Sequence, residues 1–502
     1  MSKGANWLNI KSGKIKNEVF TVKKMTRRDA IKRTGQVALG TAMVAGTGSI
    51  IHDEFLSDKP AVSDSDYHQY DTGTVPISSS GWAKAKGLGE SYPALEQDLT
   101  TDVLVIGAGL AGGSLALHLS EQGIDTVILE ARQPGWGASG RNAGHVLPLL
   151  KDFEVFERFP DQGGAFLDLF REHHSIPFDI AERYGINCDA SRSGYLNSIK
   201  SQSALDKFAK SSAVSAKRLG QSTRILGANE MREMTGSSYY PHGVFYESGG
   251  RINPYLFTNG MVRVAQSKGA RVFGDSEAAT VVSDGSGWIV KVKNGASVRC
   301  EKLVFCTNAY STDIVPEFQK SCYPLTAYAL STEPLPAELS DIIMPSRATL
   351  AQVPVDLNPF IVDEHNRIIM ASIPSRTRPH DAKWHFKQHM QWVNRTWPET
   401  KDIPIKLDSY WTGRVAMGER EFPGMYRLAS GIYGLMHFNA WGNVLAPMMG
   451  MALAKALATD KPDSLPFPVM SPNEVAHPGK QEFLIRNLMI PAARFAQDLD
   501  II

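Results

Sequence analysis

Three glycines and one acid in this chain are spaced for binding a nucleotide diphosphate. Gly107, Gly109 and Gly112 form a G-x-G-x-x-G run, and Glu130 stands 18 residues beyond the last of them. Gly107 permits a tight turn, Gly109 lets backbone approach a pyrophosphate without a Cβ in the way, and Gly112 lets a helix lie close to a sheet. A helix starting there offers the unpaired N–H groups of Leu110 and Ala111, and the positive end of its dipole, to phosphate oxygens. Glu130 is placed to accept a hydrogen bond from a ribose hydroxyl. The expected ligand is a dinucleotide.

The elements that must hold these residues can be read on either side of them. Residues 103–106 are a continuous apolar run, as in a parallel strand buried on both faces. Leu115, Leu117 and Leu119 lie in a helix-like stretch that stops near Gly123, a suitable C-cap. Residues 126–129 (TVIL) form a second β-rich run, and Glu130 closes it. Strand, glycines, helix, strand and acid therefore follow in order as one βαβ unit. The motif alone does not separate a flavin from a nicotinamide. The small residues packed between Gly135 and Gly144 let backbone lie against a flat ligand.

Residues 130–145 read EARQPGWGASGRNAGH. With the glycine turn, this segment resembles the FAD-dependent amino-acid and amine oxidase family, which includes glycine, sarcosine and D-amino-acid oxidases. Its G-x-G-A-S-G-R-N-x-G form is most similar to the gamma-glutamylputrescine oxidase branch. The resemblance covers roughly residues 95–495 and implies an α/β fold. A Rossmann-like FAD-binding domain is expected, with a second α+β substrate domain built on an antiparallel sheet. It implies that Glu130 binds the adenosine ribose, that Ala131 joins the cofactor contacts and that Arg132 reaches the adenine side. Ala138, Ser139, Gly140, Asn142 and Gly144 would run along the flavin. The strand holding Val281 would meet the adenine, and Thr307 and Asn308, in LVFCTNAYS, would lie under the cofactor. Gly442, Asn443 and Val444 would open a long helix toward the flavin pyrimidine edge. Cys306 replaces a small residue and reads as a buried filler.

One departure stands out. The family loop commonly reads glycine-histidine-glycine, where this chain has Ala440-Trp441-Gly442, with His437 nearby at another offset. Substrate preference therefore does not carry over from any member. No cysteine lies near that loop, and His145 is not at the offset used by covalent relatives, so noncovalent FAD is expected. The implied reaction oxidises a C–N bond, giving an imine that water hydrolyses. Alternatives on the same fold are a dehydrogenase feeding a quinone or carrier protein, and a non-catalytic flavin-binding partner. Arg414 suits bidentate capture of a substrate carboxylate or a structural salt bridge. Tyr410, Trp411 and Trp441 would wall the pocket or belong to the core. His145 would face the flavin or serve as a structural donor. The acid–base residue stays unassigned.

Composition bounds the rest. The chain has 502 residues, 53 Lys plus Arg against 52 Asp plus Glu, and four cysteines. The net charge of +1 argues against a nucleic-acid binder, and four cysteines without a CxxC pair exclude a disulfide scaffold or Cys-rich zinc site. No metal is expected, because the adjacent His173 and His174 would diverge by about 100° on a helix. The expected partners are a small amine or amino acid and either oxygen or an electron carrier. Residues 1–52 look like an export signal. Arg27-Arg28 precede a short apolar run from Gly35 to Ile51, resembling a twin-arginine signal, although Asp29-Ala30-Ile31 departs from its usual apolar pair. A periplasmic or exported location follows, with a cytoplasmic one as alternative, and membrane contact is expected only through this segment. Residues 53–99 read as a linker or arm. The FAD-binding domain is expected at 100–175, 240–318 and 405–470, the substrate domain at 176–239 and 319–404, and a tail at 471–502.

Overall fold

The computed structural model describes residues 76–147, 149–150, 153–418 and 422–500. The export-like segment lies outside these. The expected βαβ unit forms as strand Leu99–Ile106, helix Leu110–Glu121 and strand Thr126–Leu129. The helix stops where Gly123 takes φ +74°, a left-handed conformation that costs glycine least.

That unit sits at the centre of a nine-stranded sheet. Leu99–Ile106 pairs in parallel with Ser297–Phe305 on one side and Thr126–Leu129 on the other, and Arg271–Phe273 closes the latter edge. Beyond Ser297–Phe305 come Ile432–Met436, Gly424–Ala429 and Val469–Met470. Ala278–Ser283 and Trp288–Val292 form an antiparallel extension of Ser297–Phe305. Helix Leu110–Glu121 is apolar on every side because it packs between helices Gly442–Ala458 and Pro254–Ser267. The crossing with the former is close. A Cβ on Gly450 would come within 2.8 Å of the Ala111 carbonyl oxygen, and Ser114 Oγ donates to the Pro447 carbonyl at 2.7 Å.

The second layer is an eight-stranded sheet. Its order runs Leu407–Met417, Tyr323–Thr332, Ile368–Ser372, Phe360–Val362, Thr349–Val353, Tyr195–Ile199, His242–Tyr246 and Thr223–Leu226. All pairs are antiparallel except Thr349–Val353 with Tyr195–Ile199. Helix Ala382–Thr396 covers one face through Trp392 and Val393, with Trp397 just beyond.

The boundaries expected from sequence need correction at four places. His242–Tyr246 and Leu407–Met417 belong to the second sheet, although the expected first-domain segments begin at 240 and 405. Helix Ile176–Arg183 buries Ile176, Phe178 and Ile180 in the first layer's core. Residues 76–98, expected to be part of a linker or arm, do not form a free linker: they include helix Gly81–Lys86, buried at Gly81, Trp82 and Ala83. Val469–Met470 adds a strand beside the tail, and Pro478–Leu484 and Ile490–Asp498 are helices joined by a π turn. Pairing between strands distant in the chain decides sheet membership, and no local pattern encodes it. No helix among the described residues is long and apolar enough to cross a membrane.

Candidate functional site

The glycine turn sits at the carboxyl end of Leu99–Ile106. Gly107 takes φ +105°, and a Cβ on Gly112 would overlap the Gly107 carbonyl oxygen. Gly109 caps the helix, and a Cβ there would lie 2.7 Å from Ser139 Oγ, which itself accepts the Leu110 N–H at 2.9 Å. Glu130 accepts the Ala108 N–H at 2.8 Å and the Arg132 N–H at 3.0 Å. Burial pushes its carboxyl above the usual range, and those two N–H groups oppose the shift.

A cavity of about 250 Å³ opens on this turn. Of the sequence candidates, Gly107, Gly109, Glu130, Ala131, Arg132, Ala138, Ser139, Thr307 and Asn308 line it. Leu110, Ala111, Gly112 and Gly140 stand behind the wall and shape it. Val281 does not reach it. That side chain packs in the apolar cluster of the antiparallel extension, and residues 276–278 form the wall instead. The Ser276 N–H donates to the Glu130 carbonyl at 2.8 Å, so the chain meets the acid before the strand begins. Trp136 and Tyr310 are lining residues absent from the sequence candidates. Their rings meet edge to face at 5.8 Å, and the Arg141 guanidinium lies 4.8 Å from the Trp136 ring centre. Aromatic residues beside the small-residue run and in the TNAY element are the signal that points to them.

A second group gathers where the small-residue segment meets helix Gly442–Ala458. Asn443 Nδ2 donates to Asn142 Oδ1 at 3.0 Å and to the His145 carbonyl at 2.8 Å. Asn142 Oδ1 also accepts the Gly144 N–H at 2.9 Å. Val444 is buried and Gly442 half-buried. Asn443 Oδ1 and His145 Nε2 are shut from solvent with no hydrogen-bond partner among the described residues. Burial lowers the His145 pKa to about 4, so its ring is neutral near pH 7. The preceding loop is strained, with His437, Asn439 and Ala440 at φ 60°, 46° and 66°. His437 supports this loop from beneath. Its N–H donates to Asn308 Oδ1 at 2.9 Å, and its ring bonds Ser321 Oγ at 3.1 Å and Tyr426 Oη at 2.8 Å.

These features fit the expected FAD. The glycine cradle admits backbone only, Glu130 puts a carboxyl on the cavity wall, and Asn443 Oδ1 and His145 Nε2 are orphaned beside the segment that continues from the lining residues Ala138 and Ser139.

The substrate-side candidates divide. Strand Leu407–Met417 is the edge of its sheet, and the first layer covers that edge. Arg141 donates to the Thr412 carbonyl at 3.1 Å and to the Trp136 carbonyl at 2.6 Å, and the Arg414 N–H donates to Tyr310 Oη at 3.1 Å. The Arg414 guanidinium carbon lies 5.9 Å from the Tyr310 ring centre. Trp441 is half-buried at the helix start. Tyr410 and Trp411 are not pocket walls. Tyr410 stacks on Tyr328 and His385 beneath helix Ala382–Thr396, and Trp411 is fully buried with its indole donating to the Arg141 carbonyl at 2.9 Å. Strand alternation sends these neighbours to opposite faces. Among the described residues, one group of potential metal ligands lies together, Asp189, Glu364 and His365. The Lys86 ammonium already sits there, 2.6 Å from Asp189 and also paired with Glu364.

Comparison with known proteins adds three findings. A family model described as DAO, FAD dependent oxidoreductase, matches residues 102–456. Gamma-glutamylputrescine oxidoreductase of Escherichia coli K12 is 26% identical over 388 residues, covering 76% of this chain and 89% of that protein. Solved structures with the same fold include glycine oxidase from Bacillus cereus (TM-score 0.59, 19% identity, 73% of this chain and 99% of that one). L-proline dehydrogenase from P. horikoshii is another (TM-score 0.60, 18% identity, 72% and 95%).

Proposed function

Since the chain belongs to the DAO family of FAD-dependent oxidoreductases, we propose that it oxidises the carbon–nitrogen bond of an amine or amino acid. The names of the three proteins just described point to substrates of that class. The observation that carries the reading is the junction of Asn142, His145 and Asn443, where Asn443 Oδ1 and His145 Nε2 are buried without a hydrogen-bond partner among the described residues. Groups left unpaired inside a protein call for an explanation, and a bound ligand is the simplest here.

When bound, FAD supplies the acceptor for the hydride equivalent leaving the carbon next to nitrogen. The chain's own residues hold and orient. The glycine turn and the start of helix Leu110–Glu121 receive the diphosphate, and Glu130 receives the ribose. Gly442, Asn443 and Val444 present first-turn N–H groups and a positive dipole end to developing negative charge. His145, kept neutral by burial, offers Nε2 to the substrate without charging. Arg414, beside Tyr310, holds an anionic end of the substrate. Attachment is noncovalent. Burial pushes the Cys306 thiol, which lines the cavity, up to about 12, and such a thiol is unreactive.

An anaerobic flavin-reduction screen tests this. Amines, D- and L-amino acids, N-methyl amino acids and gamma-glutamyl amines are the panel, and at least one should bleach the bound flavin. A yellow protein that no compound bleaches would overturn the reading. Oxygen uptake against dye reduction then identifies the electron acceptor. We also propose export through residues 1–52, supported by Arg27-Arg28 ahead of the apolar run. A twin-arginine route suits a chain that loads its cofactor before crossing. Arg27→Lys with Arg28→Lys should retain the protein in the cytoplasm, and unchanged export would refute that route.

A further inference from the structure

Residues 76–95 precede the first strand and lie outside the stretch that the family model matches. They nevertheless touch three segments of the cofactor site. Trp82, on helix Gly81–Lys86, is 2% exposed, and its indole N–H donates to the Asn142 carbonyl at 2.8 Å. Gly144 takes φ +79°, and a Cβ there would come 2.5 Å from the Ile252 carbonyl oxygen and 3.1 Å from the same indole, so the ring lies close against a turn built for glycine. Further along, the Tyr92 N–H donates to Gln133 Oε1 and the Leu95 N–H to Ser276 Oγ, both at 2.8 Å. Gln133 follows Arg132, and Ser276 lines the cavity.

The arm is held from the opposite side as well. Arg367, buried and paired with Asp363 at 2.7 Å, donates to the Gly81 carbonyl at 2.9 Å. Asn253 Nδ2 donates to the Trp82 carbonyl at 3.2 Å. Lys86 pairs with Asp189 and Glu364, which belong to different parts of the chain. The Trp82 ring meets Trp411 edge to face at 6.5 Å. Each anchor uses a buried or partly buried polar group that solvent would satisfy poorly if the arm left.

We propose that this arm is a working part of the cofactor site, with Trp82 as a positioning residue that holds the Asn142 carbonyl and so the turn from Asn142 to His145. The inference rests on reading residues 138–145 as the flavin-side segment. If the arm fixes the conformation that receives the cofactor, linkage requires the cofactor to fix the arm equally. Arm docking and FAD retention then stabilise one another.

The test uses the full chain. Trp82→Phe keeps an apolar ring and removes the N–H donor. It should raise the FAD dissociation constant at least about fivefold, the worth of one hydrogen bond. It should also alter the visible circular dichroism of bound flavin while leaving the far-ultraviolet spectrum of the apoprotein unchanged. In the wild type, FAD should slow tryptic cleavage after Lys84 and Lys86. Equal affinity and an equal flavin spectrum in Trp82→Phe, or cleavage indifferent to FAD, would overturn the proposal. Should Trp82→Phe fail to fold, Lys86→Met, which removes one tryptic site, must speed cleavage at the remaining site after Lys84 and speed FAD loss, with Lys86→Arg restoring both rates; no change in either for Lys86→Met refutes the idea. A wild-type chain that takes up no FAD defeats the proposed function and this inference together. A wild-type chain that binds FAD while the variants behave identically defeats this inference alone.

Discussion

Single residues at the glycine turn work through the atoms they lack. Gly112 faces the Gly107 carbonyl oxygen so closely that any side chain would overlap it, and backbone on both sides leaves nothing free to yield. Gly112→Ala should lower stability by about 1–3 kcal/mol, the range for forced overpacking, and abolish flavin uptake. Thermal melting and flavin titration would read the two effects, and an alanine variant that binds FAD normally would contradict the turn's assignment. Glu130 works through what it accepts. Its two oxygens take the Ala108 and Arg132 N–H groups, and an amide in its place must turn a donor toward one of them. Glu130→Gln should therefore weaken FAD binding about tenfold, as expected for a lost charge-assisted bond. Flavin fluorescence quenching would measure it.

At the scale of elements, the edge of strand Leu407–Met417 is the decisive feature. An exposed edge carries unpaired backbone groups that invite pairing with another chain. Here Arg141 and Tyr310 satisfy the Thr412 carbonyl and the Arg414 N–H, and Trp411 returns a bond to the Arg141 carbonyl. The second sheet is thereby tied to the segment expected to lie along the flavin. Arg141→Met should cost about 2–3 kcal/mol in urea unfolding, because buried carbonyls lose a charged donor. Arg141→Lys should recover little, since an ammonium cannot reproduce the fork that reaches Trp136 and Thr412 together. A lysine variant of full stability would show that only the charge matters.

Across the whole molecule, stability should depend on several neutral histidines. Burial lowers the pKa of His145 to about 4, of His385 to about 3 and of His437 to about 4, and puts His389 well below its ordinary value. In the unfolded chain these groups take up protons below about 6.5. Between that point and about 4 the unfolded state binds more protons, so stability is full above pH 6.5 and falls as the pH drops. Every tenfold loss of proton affinity on folding corresponds to about 1.4 kcal/mol. Two carboxyls act the other way. Asp189 is raised to about 6 by burial and by the Glu364 carboxyl beside it, against the pull of Lys86, and Glu130 is raised by burial. Protonation of these favours the fold as the pH falls, but four histidines outweigh two acids. The melting temperature should decline steadily from pH 7 to 4, and a flat profile would show the histidines to be solvated.

The amino-acid order by itself determined the βαβ unit, its acid and the small-residue segment, because each depends on spacing within about 30 residues. Strand Leu99–Ile106, helix Leu110–Glu121 and strand Thr126–Leu129 all form where the pattern puts them. Only the tertiary structure decided the rest. Tyr410 and Trp411 look alike as aromatic neighbours in the chain, and strand alternation buries them on opposite faces. His437 shows in the sequence only as a histidine at another offset from the loop, and the fold alone brings Ser321 and Tyr426 around its ring from distant segments. The arm near Trp82 resembles a linker in the sequence because its partners, Asn142, Asn253 and Arg367, stand 60 to 286 positions away. Contacts between remote segments form only when the chain closes on itself, and short-range spacing carries no record of them.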